Sequence, residues 1–319
     1  MATLLRFAPW MALAAAIAFP LAVDNPYLVS VAVTAYVTAI AVYGLDVLLG
    51  YTGQLSLAHA GFFGVGGYTV GILTAEHGLS FWVALPIALA ITSALGHLIG
   101  LAALRTRHDY FAIFTLAVGV MIVIVIDRWE SLTGGTDGLI GIPPPSAIGP
   151  LSFDSLTSQY YLVLAFLLFT IYVVWSLVHS LVGRTFLAVR NSEELAKAVG
   201  IDAGRTHQLS FVVSATLAGL GGALYAMFLG YIGPAMANTQ MTFMMLVYLM
   251  IGGVASLAGP LVGTLLVMGL MQALQAFNEY QMMVLGPILV LVIVLFPQGL
   301  AGGGRALLAR WARRGEGAR

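Results

Sequence analysis

Four polar residues lie close together in a very apolar part of the chain: Asp46, Gln54, Ser56 and His59. Carboxylate, imidazole and hydroxyl groups can carry acid–base, nucleophilic or metal chemistry. A metal site is not predicted, because the segment has one histidine and no second ligand at a suitable spacing. A proton relay is not favoured, since the apolar segments offer no connected series of carboxylates. The sequence therefore predicts no catalytic residue and no metal ligand.

The elements that position these four residues are predicted to be membrane helices. The chain has 319 residues, of which 60% are hydrophobic and 8% charged, and its mean hydropathy is +0.98. A soluble domain carries about 25% charged residues, so the composition excludes that class. Apolar runs of about 18 residues or more can cross the roughly 30 Å of hydrocarbon as helices. No alternating pattern of an outer-membrane barrel is present. We expect an all-α, polytopic inner-membrane bundle, and the absence of cysteine excludes disulfides.

About ten membrane-spanning segments are predicted, within a single transmembrane domain over 1–319. Eight is an open alternative, because no charge marks a turn between residues 250 and 265, where two short spans or a re-entrant pair both fit. The first segment is expected to be a retained helix, since no small-residue cleavage site precedes Asp24. The predicted segments are 7–23, 27–49, 56–75, 80–104, 110–126, 160–182, 208–231, 241–257, 261–277 and 282–297.

The basic residues orient this arrangement, because cytoplasmic loops of membrane proteins carry an excess of Lys and Arg. With ten spans, every one of the 13 basic residues except Arg128 falls on one side. Both termini are therefore predicted to be cytoplasmic. The same assignment makes 127–159 a periplasmic loop, 183–207 a cytoplasmic loop and 298–319 a basic cytoplasmic tail.

The cytoplasmic loop 183–207 is predicted to contain a short, charged helix. Ser192 or Asn191 can cap it, and Glu193 and Glu194 fall in its first turn, where acidic residues are favoured. Gly200 is a natural end for this helix. A solvated amphipathic connector is the alternative interpretation of the loop.

Three motifs in this order resemble one family of transport proteins. E-L-A-K-A-V-G, from Glu194 to Gly200, resembles the E-A-A-x-x-x-G core with which permeases of ATP-binding cassette importers dock their ATPases, with Leu195 replacing the first Ala. G-Y-T-G-Q-L-S-L-A-H-A-G-F-F-G-V-G-G-Y-T, from Gly50 to Thr69, and L-T-G-G-T-D-G-L-I-G-I-P, from Leu132 to Pro143, match the same family. The chain is thus similar to branched-chain amino acid permeases of the LivM type.

The resemblance implies a transport subunit that is not itself an enzyme. Its expected partners are a homologous second permease, two ATPase subunits, a periplasmic substrate-binding protein and membrane lipid, without nucleic acid. The partner ATPases would use ATP and Mg, and this chain would bind no cofactor, since it lacks a G-x-x-x-x-G-K-[ST] loop. The implied ATPase-docking residues are Arg190, Glu193, Glu194, Ala196, Lys197 and Gly200.

The substrate implied by the resemblance is a branched-chain amino acid, or a related small amino acid or amide. A self-contained ion-coupled transporter is the alternative function, but it would need charges at mid-membrane depth for coupling. A membrane-embedded enzyme is a third hypothesis, but the sequence offers no acid–base pair or nucleophile for it.

Two further sites have open interpretations. The outer loop, with Gly134, Gly135, Asp137 and Gly138, is predicted to face the binding protein or to be an ordered loop without a partner. Asp46, Gln54, Ser56 and His59 mark a helix break that either lines the translocation path or satisfies groups inside the bundle. For Asp46, a structural hydrogen-bond anchor is the favoured role. The glycines that follow His59 are expected to permit close helix packing.

A second interrupted stretch, 252–263, also contains Ser-Leu-Ala, as does the first break. Paired breaks of this kind mark the transport site of some transporters.

Overall fold

The computed structural model describes residues 2–104 and 108–275, together with 286–287, 294, 299–300 and 302. Most of the predicted span 282–297, most of the tail 298–319, and both Arg105 and Arg107 lie outside the described residues.

The described chain is almost entirely helical. Short π turns at Asp46–Gly50 and Ile72–Glu76 extend the second and third helices, and 3-10 turns lie at Gly135–Asp137 and Pro234–Ala237. Strands β1, Leu139–Ile140, and β2, Tyr231–Ile232, pair antiparallel, with Leu139 opposite Ile232. The helices are α1 Ala2–Ala22, α2 Pro26–Leu45, α3 His59–Gly71, α4 Phe81–Ala103, α5 His108–Arg128, α6 Glu130–Thr133, α7 Leu156–His179, α8 Leu181–Asn191, α9 Glu193–Ala198, α10 Ala203–Leu229, α11 Thr239–Gly252 and α12 Gly259–Ala273.

This architecture confirms a helical, multi-pass membrane protein. Within the described residues, five helices are long and apolar enough to span a bilayer: α2 with its π turn, α4, α5, α7 and α10. The apolar parts of α1, α11 and α12 are shorter. Between α11 and α12 the chain is interrupted from 253 to 258, and these helices have only 14 and 15 residues. A single helix needs about 20 residues to cross, so the number of spans stays a prediction.

Helices α2 and α10 form the centre of the bundle. In their most apolar windows, 78% of α2 and 67% of α10 are buried, whereas only 22% of α5 is. Helix α10 packs against α2, α3 and α4. The outer helices therefore leave most of their apolar surface to lipid or to other subunits.

Glycines bring α3 and α10 into backbone contact, as the sequence predicted. A Cβ atom built on Gly66 would lie 2.5 Å from Cα of Gly219, and one on Gly67 would lie 2.9 Å from the carbonyl oxygen of Gly222. Such distances are well inside van der Waals contact, so only glycine fits at these points.

Candidate functional site

The first helix break lies between α2 and α3 and holds the four polar residues noted in the sequence. The chain leaves α2 through the π turn, Gly53 takes a φ of +78°, and α3 begins at His59. A positive φ is readily adopted only by glycine, which explains why glycine occupies position 53. Asp46, Gln54, Ser56 and His59 are each no more than 5% exposed. The segment therefore faces the interior of this subunit.

His59 connects α3 to two other helices. Its Nε2 atom lies 2.7 Å from the backbone oxygen of Ala41 on α2, and its Nδ1 atom lies 3.4 Å from Oγ of Ser214 on α10. Because a carbonyl oxygen can only accept, Nε2 carries the proton, and in the neutral ring Nδ1 accepts from the serine hydroxyl. The imidazole thus ties the start of α3 to the centre of the bundle.

Helix α10 supplies a row of polar partners that the sequence prediction missed. Nε2 of Gln54 lies 3.4 Å from Nδ1 of His207, and Oγ1 of Thr52 lies 3.3 Å from Oγ of Ser210. The contacting residues on α10 are spaced i, i+3 and i+7, which places them on one helix face. This spacing is visible in the sequence and was the signal that could have identified these three residues. We call Thr52, Gln54, His59, His207, Ser210 and Ser214 the polar seam. Ser56 is buried as well, but its Oγ atom has no hydrogen-bond partner among the described residues.

Asp46 makes a different connection, to the interruption between α11 and α12. Its Oδ1 atom accepts a hydrogen bond of 2.7 Å from the backbone N–H of Ala255. The nearby hydroxyl of Tyr43 donates to the backbone oxygen of Leu257 at 2.6 Å. This geometry is the one expected of a structural anchor. It also brings the two interrupted stretches seen in the sequence into direct contact.

In the loop that the sequence predicts to be cytoplasmic, helices α8 and α9 form a hairpin, which we call the docking hairpin after its predicted role. Oγ of Ser192 accepts from the backbone N–H of Leu195 at 3.3 Å and caps α9, as predicted. Gly200 follows the helix with a φ of +86°. The predicted start and end of this short helix are thereby confirmed.

The six predicted docking residues do not all face outward. Ala196 is buried against Val189 and Ala203, so it holds the hairpin together. Glu193 pairs with Lys197 at 2.6 Å, and this hydrogen bond raises the pKa of Lys197, which stays charged at neutral pH. The outward-facing members of the set are Arg190, Glu194, Lys197 and Gly200.

Two apolar side chains also project from the docking hairpin. Leu195 is 70% exposed and Val199 is 77% exposed. They are four residues apart at α9, so they lie on one side of it. The sequence prediction noted Leu195 only as a departure from the motif and did not select Val199.

The loop 127–159, which the sequence predicts to be periplasmic, is built on glycine turns. Gly134, Gly135 and Gly138 all have φ between +58° and +71°, and Thr133 fixes the turn by donating to the backbone oxygen of Trp129 at 2.8 Å. Asp137 is exposed at its tip. These glycines shape the loop, whereas Asp137 is available for contact.

The same loop also carries large exposed apolar side chains. Strand β1 attaches this part of the loop to the end of α10 through its pairing with β2. The exposed residues are Trp129, Ile140, Ile148 and Leu151.

Comparisons with known proteins give a consistent result. The sequence profile described as "Branched-chain amino acid transport system / permease component" matches residues 27–293. The high-affinity branched-chain amino acid transport system permease protein LivM of Escherichia coli is 30% identical over 308 residues, covering 88% of this chain and 72% of that protein. The high-affinity branched-chain amino acid transport system permease protein LivH of Salmonella typhimurium is 24% identical, over 83% of this chain and 91% of that protein. BraD of Pseudomonas aeruginosa is 25% identical, with coverage of 83% and 91%. No solved structure matches.

Proposed function

This chain belongs to the branched-chain amino acid permease family, and from that premise we propose that it is one permease subunit of an ATP-binding cassette importer. With a homologous second permease it forms the path by which branched-chain amino acids, or related small amino acids and amides, enter the cytoplasm. The complex lies in the bacterial inner membrane, with both termini of this chain cytoplasmic. Two ATPase subunits bind ATP and Mg, and a periplasmic protein delivers the substrate.

The observation that carries this proposal is the exposed apolar pair on the docking hairpin. Leu195 and Val199 project from a short, charged helix, which is too polar for the lipid core. Large apolar side chains at such exposure mark a binding surface when they lie together. In the proposed complex they fill a cleft of an ATPase subunit, while Glu194 and Lys197 contact its polar rim.

The polar seam supports the path without contacting the solute. His59 and Gln54 are directed at groups of the same subunit and are almost fully buried. They hold the first break against α10, so the helices on each side keep a fixed relative position. The solute instead passes along surfaces that this subunit exposes to the second permease.

The outer loop receives the loaded binding protein. Asp137 and the apolar residues Ile140 and Leu151 lie on its exposed surface, on the side opposite the docking hairpin in the predicted topology. A mixed polar and apolar surface of this kind suits a transient protein contact.

The test is co-expression of this chain with the second permease and the ATPases, followed by purification in detergent. Leu195→Asp places a charge in the proposed apolar contact, so we expect loss of the co-purifying ATPases and, when the binding protein is added to proteoliposomes, loss of ATP-driven leucine uptake. Leu151→Asp, the same change on the outer loop, is the matched control and should retain the ATPases. Full retention of the ATPases by Leu195→Asp would refute the docking assignment. Ion-gradient-driven uptake by this chain alone would refute the importer.

A further inference from the structure

A small cavity lies between the start of α2, the second half of α11 and the end of α12. We call it the α2–α12 cavity. Its volume is about 300 Å³, which is small for a ligand pocket and suits a small molecule. Its lining is partly apolar and partly polar, and none of the described residues that line it is charged.

The α2–α12 cavity lies at the end of the bundle to which the proposed binding protein delivers its substrate. The hydroxyl of Tyr161, in the second turn of α7, donates to the backbone oxygen of Ile17, near the end of α1, at 3.0 Å. The start of α2, which follows α1, and the loop 127–159, which precedes α7, therefore lie at the same end of the molecule. A solute released at that loop would meet the cavity before it moves deeper into the membrane.

The α2 wall of the cavity presents hydrogen-bond acceptors. The Ser30 hydroxyl donates to the backbone oxygen of Pro26 at 3.1 Å, and the Thr34 hydroxyl donates to the backbone oxygen of Ser30 at 2.9 Å. Each hydroxyl has one hydrogen, which these bonds use, so both oxygens can only accept from a ligand. The two residues are four positions apart and lie on one helix face. This wall therefore suits a group that only donates, such as an ammonium.

The opposite wall, at the end of α12, presents a hydrogen-bond donor. Oε1 of Gln275 accepts from the Tyr27 hydroxyl at 3.0 Å and from Nε2 of Gln272. These two bonds occupy both lone pairs of that oxygen and fix the orientation of the carboxamide. Nε2 of Gln275 has two N–H donors and no partner among the described residues. This wall therefore suits an acceptor, such as a carboxylate.

The rest of the cavity lining is apolar. Val31 contributes from α2, the ring of Tyr248 from α11, and Met268 from α12. Methionine is flexible and adapts to side chains of different shape. Such a surface accepts a branched aliphatic group without selecting one branching pattern.

We propose that the α2–α12 cavity binds the transported amino acid as a zwitterion at the entrance to its path. Its ammonium group donates to Ser30 and Thr34, and its carboxylate accepts from Gln275. Its aliphatic side chain packs against Val31 and Met268. This inference rests on the proposed function and assigns to this subunit a site that holds the solute. Partners without formal charge bind a zwitterion weakly, which lets the solute leave again, as transport requires.

The first test is photo-crosslinking in the complete importer, reconstituted in proteoliposomes with its ATPases and binding protein. The probe is photo-leucine, an amino acid whose aliphatic side chain carries a diazirine. We expect light to label the peptides that contain Val31 or Met268, and a large excess of leucine to abolish this labelling. Transport of the probe without labelling of these peptides, or labelling that leucine does not reduce, would overturn the inference.

The second test uses Gln275→Leu, which removes the proposed carboxylate donor and adds no charge. Gln275 is exposed, so we expect unchanged stability in SDS and full retention of the ATPases. Because a hydrogen bond to a charged group is lost, leucine uptake at saturating loaded binding protein should fall by about tenfold. Gln240→Leu, the same change at an exposed position of α11 outside the cavity, is the matched control and should transport normally.

The outcomes separate this inference from the proposed function. Normal uptake by Gln275→Leu, or an equal loss in Gln240→Leu, would overturn the solute site and leave the importer in place. A wild-type complex that takes up leucine without hydrolysing ATP would instead overturn the importer proposal.

Discussion

Replacement of Gly66 by alanine is expected to damage the bundle at its centre. The added Cβ atom would lie 2.5 Å from Cα of Gly219, whereas ordinary contact begins at 3.4 Å. The carbonyl oxygen of Gly219 would lie even closer, so the two backbones would have to separate by about 1 Å or more. Helix α10 cannot simply retreat, because α2 and α4 also pack against it. The strain consequently falls on α3.

The size of the effect follows from two opposing terms. Overpacking costs about 1–3 kcal/mol, and this site belongs at the upper end because the obstacle is backbone and not a flexible side chain. Alanine improves the helix itself by about 1 kcal/mol relative to glycine. We therefore expect Gly66→Ala to lower the free energy of unfolding by about 2 kcal/mol.

The assay is titration of the purified protein from mild detergent into SDS, followed by circular dichroism and tryptophan fluorescence. Gly269→Ala is the matched control, since it lies in α12 with nothing within 4 Å of the added atom. It should leave the unfolding free energy unchanged or raise it by up to about 1 kcal/mol. If both variants unfold at the same SDS fraction, the close packing of α3 on α10 is wrong.

Three smaller perturbations test the first break and the docking hairpin. His59→Leu leaves the Ala41 oxygen without its imidazole donor, and we expect it to lower the free energy of unfolding by about 2 kcal/mol in the same titration. His59→Gln can still donate a hydrogen bond and should recover part of this stability. Equal losses in the two variants would contradict the assigned bond. Ser192→Ala removes the acceptor for the Leu195 N–H and should destabilise α9 by about 1 kcal/mol, measured as weaker retention of the ATPases at unchanged SDS stability. Gly200→Ala forces a Cβ atom into a φ of +86° and should weaken ATPase retention more than Gly200→Asn does; the reverse order would argue against this conformation.

The helical membrane class could be predicted from composition. Long apolar runs with few charges lie in lipid, where the backbone N–H and C=O groups can form their hydrogen bonds only within a helix. The cap and end of α9 were predictable for a local reason. Ser192 and Gly200 act within one turn of their own positions, so neighbouring sequence contains the necessary information.

The partners of the buried polar residues were not predictable in the same way. His59 contacts Ser214, more than 150 positions later, and Asp46 contacts Ala255 at still greater separation. The sequence indicated that these groups needed partners but not which helix supplied them. Ala255 itself gave no signal, because its special property is a backbone conformation and not a side chain.

The placement of the polar residues changes what their presence in the membrane means. Intramembrane polar groups are normally taken as candidates for contact with the transported solute. Here the imidazole of His59 hydrogen-bonds the Ala41 carbonyl oxygen within α2, and the carboxylate of Asp46 accepts from the Ala255 N–H in the interruption between α11 and α12. An interrupted helix needs such groups wherever it occurs, and it is also where a helix can change direction at low cost. The polar residues that stand out in the sequence therefore fit structural anchors, which hold the helices on each side of the interruptions in place.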